Sequence, residues 1–156
     1  MRKHYFHLLL AISILVLSSA YIGEFFLEIY PCQLCYYQRY VYFMLLVFSL
    51  IFILKPDINK IISLLTTFLI LFTGFIISFF HSGVERHWFK YDAVCTSFSE
   101  SLNSVEQMVR NIEGSLIAAC STLGPQLLGL TMANWNTILL GFLYCVTFFI
   151  YCKDQK

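Results

Sequence analysis

Charge is what this chain has least of. Lysine and arginine number 10 and aspartate and glutamate 9 in 156 residues, 12% together, and the formal net charge is +1. No basic cluster reaches the density that a phosphate backbone demands, so the balance argues for neither nucleic acid nor an acidic ligand. Internal repeats, low-complexity tracts and flexible linkers are missing as well, which excludes a solenoid or a string of tethered modules. What fills the space is apolar: 59% hydrophobic and 18% aromatic residues, well outside the norm for soluble globular chains. Such a chain belongs in a membrane.

Four apolar segments give an all-α membrane protein, a four-helix transmembrane bundle forming one domain. Residues 6–23 contain no Asp, Glu, Lys or Arg and follow Met1-Arg2-Lys3. At about 1.5 Å per residue they just cross a hydrocarbon core of about 30 Å. The basic start, the run 8–17 and Ser18-Ser19-Ala20 also fit a cleavable signal peptide. A retained span is the better reading, because apolar character continues past Ala20 and the other helices need its packing surface. Further spans are expected at 35–54, 61–80 and 135–151, with Lys55-Pro56-Asp57-Ile58-Asn59-Lys60 as a tight turn in which Pro56 ends the preceding helix.

The few charges orient the bundle. Arg2, Lys3, Lys55, Lys60, Lys153 and Lys156 gather on one side, whereas Glu24, Glu28, Glu85, Asp92, Glu100, Glu106 and Glu113 gather on the other. By the positive-inside rule both termini and the 55–60 turn are cytoplasmic, and the loops 24–34 and 81–134 face outward. Cys32, Cys35, Cys95 and Cys120 all then lie on the outer, oxidising side, where disulfides persist.

The chemistry concentrates in Pro31-Cys32-Gln33-Leu34-Cys35-Tyr36-Tyr37-Gln38-Arg39. A Cys-x-x-Cys pair closes a small ring reversibly by thiol–disulfide exchange. Cys35 falls where the second span should begin, so unpaired backbone N–H groups and the positive end of the helix dipole are expected at its sulfur. Arg39, four residues on and about one turn away, adds a permanent positive charge on the same face. Taken alone the pair also suits half of a zinc ribbon or an inert staple. Cys95 and Cys120 form a second constellation in the long outer loop, either a structural staple or a second exchange pair feeding the first. That loop carries one readable helix: Ser104-Val105-Glu106-Gln107 is a capping box, and Leu102, Val105, Val109, Ile112 and Leu116 make an apolar face suited to the membrane interface or, nearly as well, to the loop's own core.

Several motifs taken together resemble the DsbB-type disulfide bond formation proteins: Pro31-Cys32-x-Leu34-Cys35-x-x-Gln38-Arg39, Gly83-Val84-Glu85 followed by Trp88, and Gly129-Leu130-Thr131-Met132-Ala133-Asn134-Trp135-Asn136. The resemblance covers essentially the whole chain in order, including the two loop cysteines. It implies a multi-pass enzyme of the bacterial inner membrane that oxidises a periplasmic DsbA-like thiol oxidoreductase and passes the electrons to a quinone, ubiquinone or menaquinone. It further implies redox-active disulfides Cys32–Cys35, facing the quinone, and Cys95–Cys120, meeting the partner, with Arg39 beside the quinone and the Cys35 thiolate. A DsbA couple stands near about −120 mV, and each 30 mV is worth about 1.4 kcal/mol for two electrons, so an acceptor more oxidising than ordinary protein disulfides is required. Around Cys120 the chain departs from the family pattern: Ala118-Ala119 and Ser121-Thr122 stand where acidic and proline residues are commoner.

Other polar residues receive lesser assignments. His81, Glu85, His87 and Trp88 cluster where the third span leaves the bilayer; Glu85 is a candidate for the quinone site, Trp88 equally an interfacial anchor. His4 and His7 lie at the opposite face, and Cys145 and Cys152 read as packing residues. Two alternatives of other classes stand beside the enzyme: a membrane metal-binding protein with a four-cysteine site, ranked below it because only one closely spaced ligand pair exists, and a scaffold with structural disulfides. Electron flow in the reverse direction is compatible with the same spacing.

Overall fold

The computed structural model describes residues 2–91, 120, 124 and 126–154. Cys95 and the expected interfacial helix lie outside them. Four long helices dominate: α1 Arg2–Phe26, α2 Gln33–Leu54, α3 Lys60–Glu85 and α4 Met132–Asp154. Each contains a stretch long and apolar enough to cross a membrane. The protein is thus an all-α, multi-pass membrane bundle in which α1 packs on α2, α2 on α3, and α3 most extensively on α4.

The helices outrun the apolar segments because their ends are satisfied by polar side chains and turns. Asn59 caps α3, its side chain accepting the Ile61 N–H at 3.1 Å. At the other end of α3, His87 adopts φ 58°, and the N–H groups of His87 and Trp88 close back onto Val84 and Gly83. A two-stranded antiparallel hairpin, β1 Gln126–Leu127 and β2 Leu130–Thr131, leads directly into α4. Both of its central residues, Leu128 and Gly129, have positive φ, which a two-residue hairpin turn of this hand requires and glycine accommodates without strain.

The core follows the helix period. Phe6, Leu9, Tyr42, Leu64, Leu71 and Leu140 are among its most buried members. The outer surface is also apolar, with Leu15, Phe142 and Phe149 more than half exposed, which only lipid makes favourable. Polar groups inside are paired: among the described residues no buried side-chain N or O lacks a hydrogen-bond partner. Tyr5 bonds to Thr147, joining α1 to α4, and Thr147 also returns a bond to the Leu143 carbonyl. Cys145 and Cys152 do not pack inside as expected; both are exposed. The buried stripe of α4 runs through Leu140, Leu143 and Thr147, and Cys145 falls between the last two on the opposite side.

Candidate active site

The second helix begins at Gln33, not at Cys35, and this shifts the chemistry of its first turn. Cys32 becomes the N-cap, its sulfur accepting the Cys35 N–H at 3.4 Å. The next orphan donors, the N–H groups of Gln33 and Leu34, go to the sulfur of Cys120. The helix N-terminus thus serves Cys32 and Cys120, and through the backbone N–H of Cys32 also the sulfur of Cys35, as the spacing had suggested.

These placements draw three sulfurs into a row. The Cys120 thiol donates to Cys32, and the Cys32 thiol donates to Cys35 across 3.0 Å. Cys32 and Cys120 are buried with Leu34 and Val84, while Cys35, Phe80 and Tyr91 pack on the outside of this cluster. The hydrogen bond from Cys120 pulls the Cys32 thiol down, but the bond it makes to Cys35, together with burial, prevails and pushes it up to about 12. Cys120 is pushed up too, by donating to Cys32 and by burial. A single negative charge on the row is therefore kept off both Cys120 and Cys32.

Arg39 stands within electrostatic reach of Cys35, as its spacing predicts. It is also held by α1. The guanidinium is ion-paired with Glu24, donates to the Ala20 carbonyl at 3.3 Å, and lies over the rings of Tyr21 and Tyr36 at 4.9 and 5.5 Å. From the sequence Glu24 served only as one of the acidic residues that mark the outer side.

His81 does not point into an empty mouth. Its Nε2 is 3.4 Å from the Cys32 sulfur and its Nδ1 is 3.0 Å from the Gln38 side-chain nitrogen. Gln38 in turn accepts from Asn136 at 2.8 Å, and Tyr42 donates to Asn136. Four side chains from α2, α3 and α4 thus converge behind Cys32. The sulfurs of Cys32 and Cys35 and a ring nitrogen of His81 lie within 4.8 Å of one another, a donor set that a soft cation could bridge.

Glu85 is buried and its carboxylate accepts from the Thr131 hydroxyl at 2.5 Å; Thr131 also accepts from the Asn134 side chain at 2.9 Å. The acid therefore fastens the end of α3 to the entrance of α4. Trp88 is largely exposed beneath the Arg86 guanidinium, 5.3 Å away. Sequence reasoning quoted Gln38 and Asn136 in motifs without giving them a role and passed over Tyr42. The available signal was the rarity of such groups in a span, where each polar side chain needs a named partner.

An apolar bundle whose mouth holds three touching thiols beside an arginine is built for thiol–disulfide exchange at a membrane. The chain belongs to the family of the disulfide bond formation protein DsbB, whose profile matches residues 2–150. It is also 34% identical over 136 residues to Uncharacterized protein RP370 of Rickettsia prowazekii (strain Madrid E), covering 84% of this chain and 77% of that protein. Disulfide bond formation is accordingly the general activity of the chain.

Proposed function

We propose that the protein reoxidises a periplasmic DsbA-like thiol oxidoreductase and delivers the electrons to a membrane quinone, with Cys95–Cys120 as the partner-facing disulfide and Cys32–Cys35 as the quinone-facing one. The observation that carries this reading is the position of Cys32, whose sulfur touches both Cys35 and Cys120. Exchange between the two pairs then proceeds by local movement of sulfurs. A partner thiolate attacks the loop disulfide and forms a mixed disulfide there, and Cys120 leaves as thiolate. Cys120 attacks Cys32, the Cys32–Cys35 bond breaks, and the electron pair stays on Cys35, nearest the Arg39 cation.

The mouth suits a quinone. Arg39 is a permanently charged donor flanked by two partly exposed tyrosine rings, Tyr21 and Tyr36, next to Cys35, which matches a flat ring with carbonyl acceptors. Bound there, a quinone supplies the acceptor for two electrons and two protons. Arg39 is the cofactor-side residue in this reading, and Glu85, committed to Thr131, supports the site from behind. The same reading sets the chain in the bacterial inner membrane with termini cytoplasmic and the cysteine pairs periplasmic, as the lysine and arginine distribution favours. The test is anaerobic: purified protein, reduced partner and quinone are mixed, and quinol and partner disulfide are counted. Equal amounts are expected. Partner disulfide without quinol, or neither product, overturns the reading.

A further inference from the structure

We infer that His81 is a catalytic hydrogen-bond donor to Cys32, held in the Nε2–H tautomer by the Gln38–Asn136–Tyr42 chain behind it. The inference deepens the reading above, since it rests on Cys32 being the sulfur exchanged between two partners.

The tautomer follows from the direction of the chain. Tyr42 has one proton to give and gives it to the Asn136 carbonyl oxygen. The Asn136 amide nitrogen is then the end that meets Gln38, and it donates to the Gln38 oxygen at 2.8 Å. That turns the Gln38 amide nitrogen toward His81, 3.0 Å from Nδ1. A nitrogen facing an NH2 group must accept, so Nδ1 carries the lone pair and Nε2 carries the proton. Nε2 faces the Cys32 sulfur at 3.4 Å. His81 and Gln38 are both buried, so water does not compete for these bonds.

Cys32 consequently receives three donors: the Cys35 N–H, the Cys120 thiol and His81 Nε2–H. This matters at one step. When the Cys32–Cys120 disulfide is resolved, an incoming thiolate attacks the Cys120 sulfur, a new bond forms to it, and the Cys32–Cys120 bond breaks. The electron pair of that bond remains on Cys32, and the negative charge passes from the incoming sulfur to Cys32 with no proton or electron lost. His81 donates to the sulfur on which that charge arrives. A donor held in advance needs no reorganisation at that moment.

Two measurements test this without partner or quinone. In fully reduced, histidine-15N-labelled protein, His81 is expected to show a protonated Nε2 and a lone-pair Nδ1; the opposite tautomer overturns the inference. In a Cys35→Ala background, alkylation of Cys32 by iodoacetamide at fixed pH is expected to slow about tenfold in His81→Phe, the scale of one lost bond to a charged acceptor. His81→Gln, which restores an N–H, is expected to recover most of the rate. Equal rates in all three proteins overturn the inference, and so does equimolar zinc displacing the Nε2 proton, which would make His81 a metal ligand. If His81→Phe does not fold, the tautomer in the unsubstituted protein decides alone. Because no quinone is present, a failure here leaves the proposed electron route standing, and a failure of quinol formation leaves this result standing.

Discussion

Replacing Glu24 and replacing Arg39 should have different consequences, although the two side chains are partners. Their side chains are 21% and 12% exposed, so water screens the pair only in part. Glu24→Gln keeps an oxygen in reach of the guanidinium and turns a charge-assisted bond into a neutral one, a loss of about 1 kcal/mol. Arg39→Ala removes that bond, the contact with the Ala20 carbonyl and two ring contacts of about 0.5–1 kcal/mol each, and leaves a carboxylate unpaired near the membrane mouth. The sum is about 3–4 kcal/mol. If the positive charge serves Cys35 and the acceptor, Glu24→Gln frees it from its counterion and turnover persists. Arg39→Ala slows quinol formation about tenfold or more, a loss of only about 1.4 kcal/mol at the transition state. Denaturant unfolding in micelles measures the first quantity and quinol absorbance the second. Glu24→Gln losing as much turnover as Arg39→Ala would refute the reasoning, because the ion pair and not the cation would then be what the site uses. Arg39→Ala that is destabilised yet turns over normally would assign Arg39 to structure alone.

Three further outcomes follow from geometry. Gly74→Ala places a methyl 2.6 Å from Val41 Cγ1 and 3.4 Å from Leu140 in the middle of the bundle, so unfolding in micelles should show a loss of about 1–3 kcal/mol while thiol reactivity at Cys32 is unchanged. Tyr5→Phe removes the only side-chain bond described between α1 and α4 and leaves Thr147 its bond to Leu143; a loss of about 1 kcal/mol is expected in the same assay. The Cys32 thiol, raised to about 12 in the fold, has an unfolded value of about 8.5. Its stabilising share is complete below the unfolded value and is lost as pH rises toward the folded one. Reduced protein should therefore lose stability between about pH 9 and 12 relative to oxidised protein scanned in parallel.

The architecture was legible because each span is a predominantly apolar run bounded by Lys, Asn, Pro or Glu, and hydropathy needs no knowledge of neighbours. Cys32, Cys35 and Arg39 were legible for a similar reason: their relation is set by spacing along one helix entrance. The partners from other helices were not. Whether Glu24 meets Arg39, or His81 meets Cys32, depends on the rotation of α1 and α3 about their own axes, which periodicity in a uniformly apolar span leaves undetermined. The start of α2 was placed two residues late because Gln33 and Leu34 look like loop, whereas a cysteine at position 32 serves as the cap. The Leu128-Gly129 hairpin was not anticipated from the sequence, since a Leu at positive φ is not a residue that turn rules favour.

The order of the sulfur row leads to one more prediction. Cys32 lies between Cys120 and Cys35, so each outer sulfur has Cys32 as its described neighbour in the row. Removing Cys35 by Cys35→Ser leaves Cys32 with a single thiol in contact, and oxidation of that variant should join Cys32 to Cys120. Nonreducing peptide mapping after oxidation of the reduced variant by diamide should find that cross-link as the main product. Removing Cys32 instead leaves Cys35 and Cys120 without a sulfur between them, so Cys32→Ser should keep Cys35 alkylatable under the same conditions. The two variants change the same Cys-x-x-Cys motif, and a mere staple would respond to both alike. A Cys35→Ser protein in which Cys32 remains a free thiol after oxidation would mean that the contact in the row is not a route of exchange. Electrons from the loop pair would then have to reach the membrane by a path that bypasses Cys32.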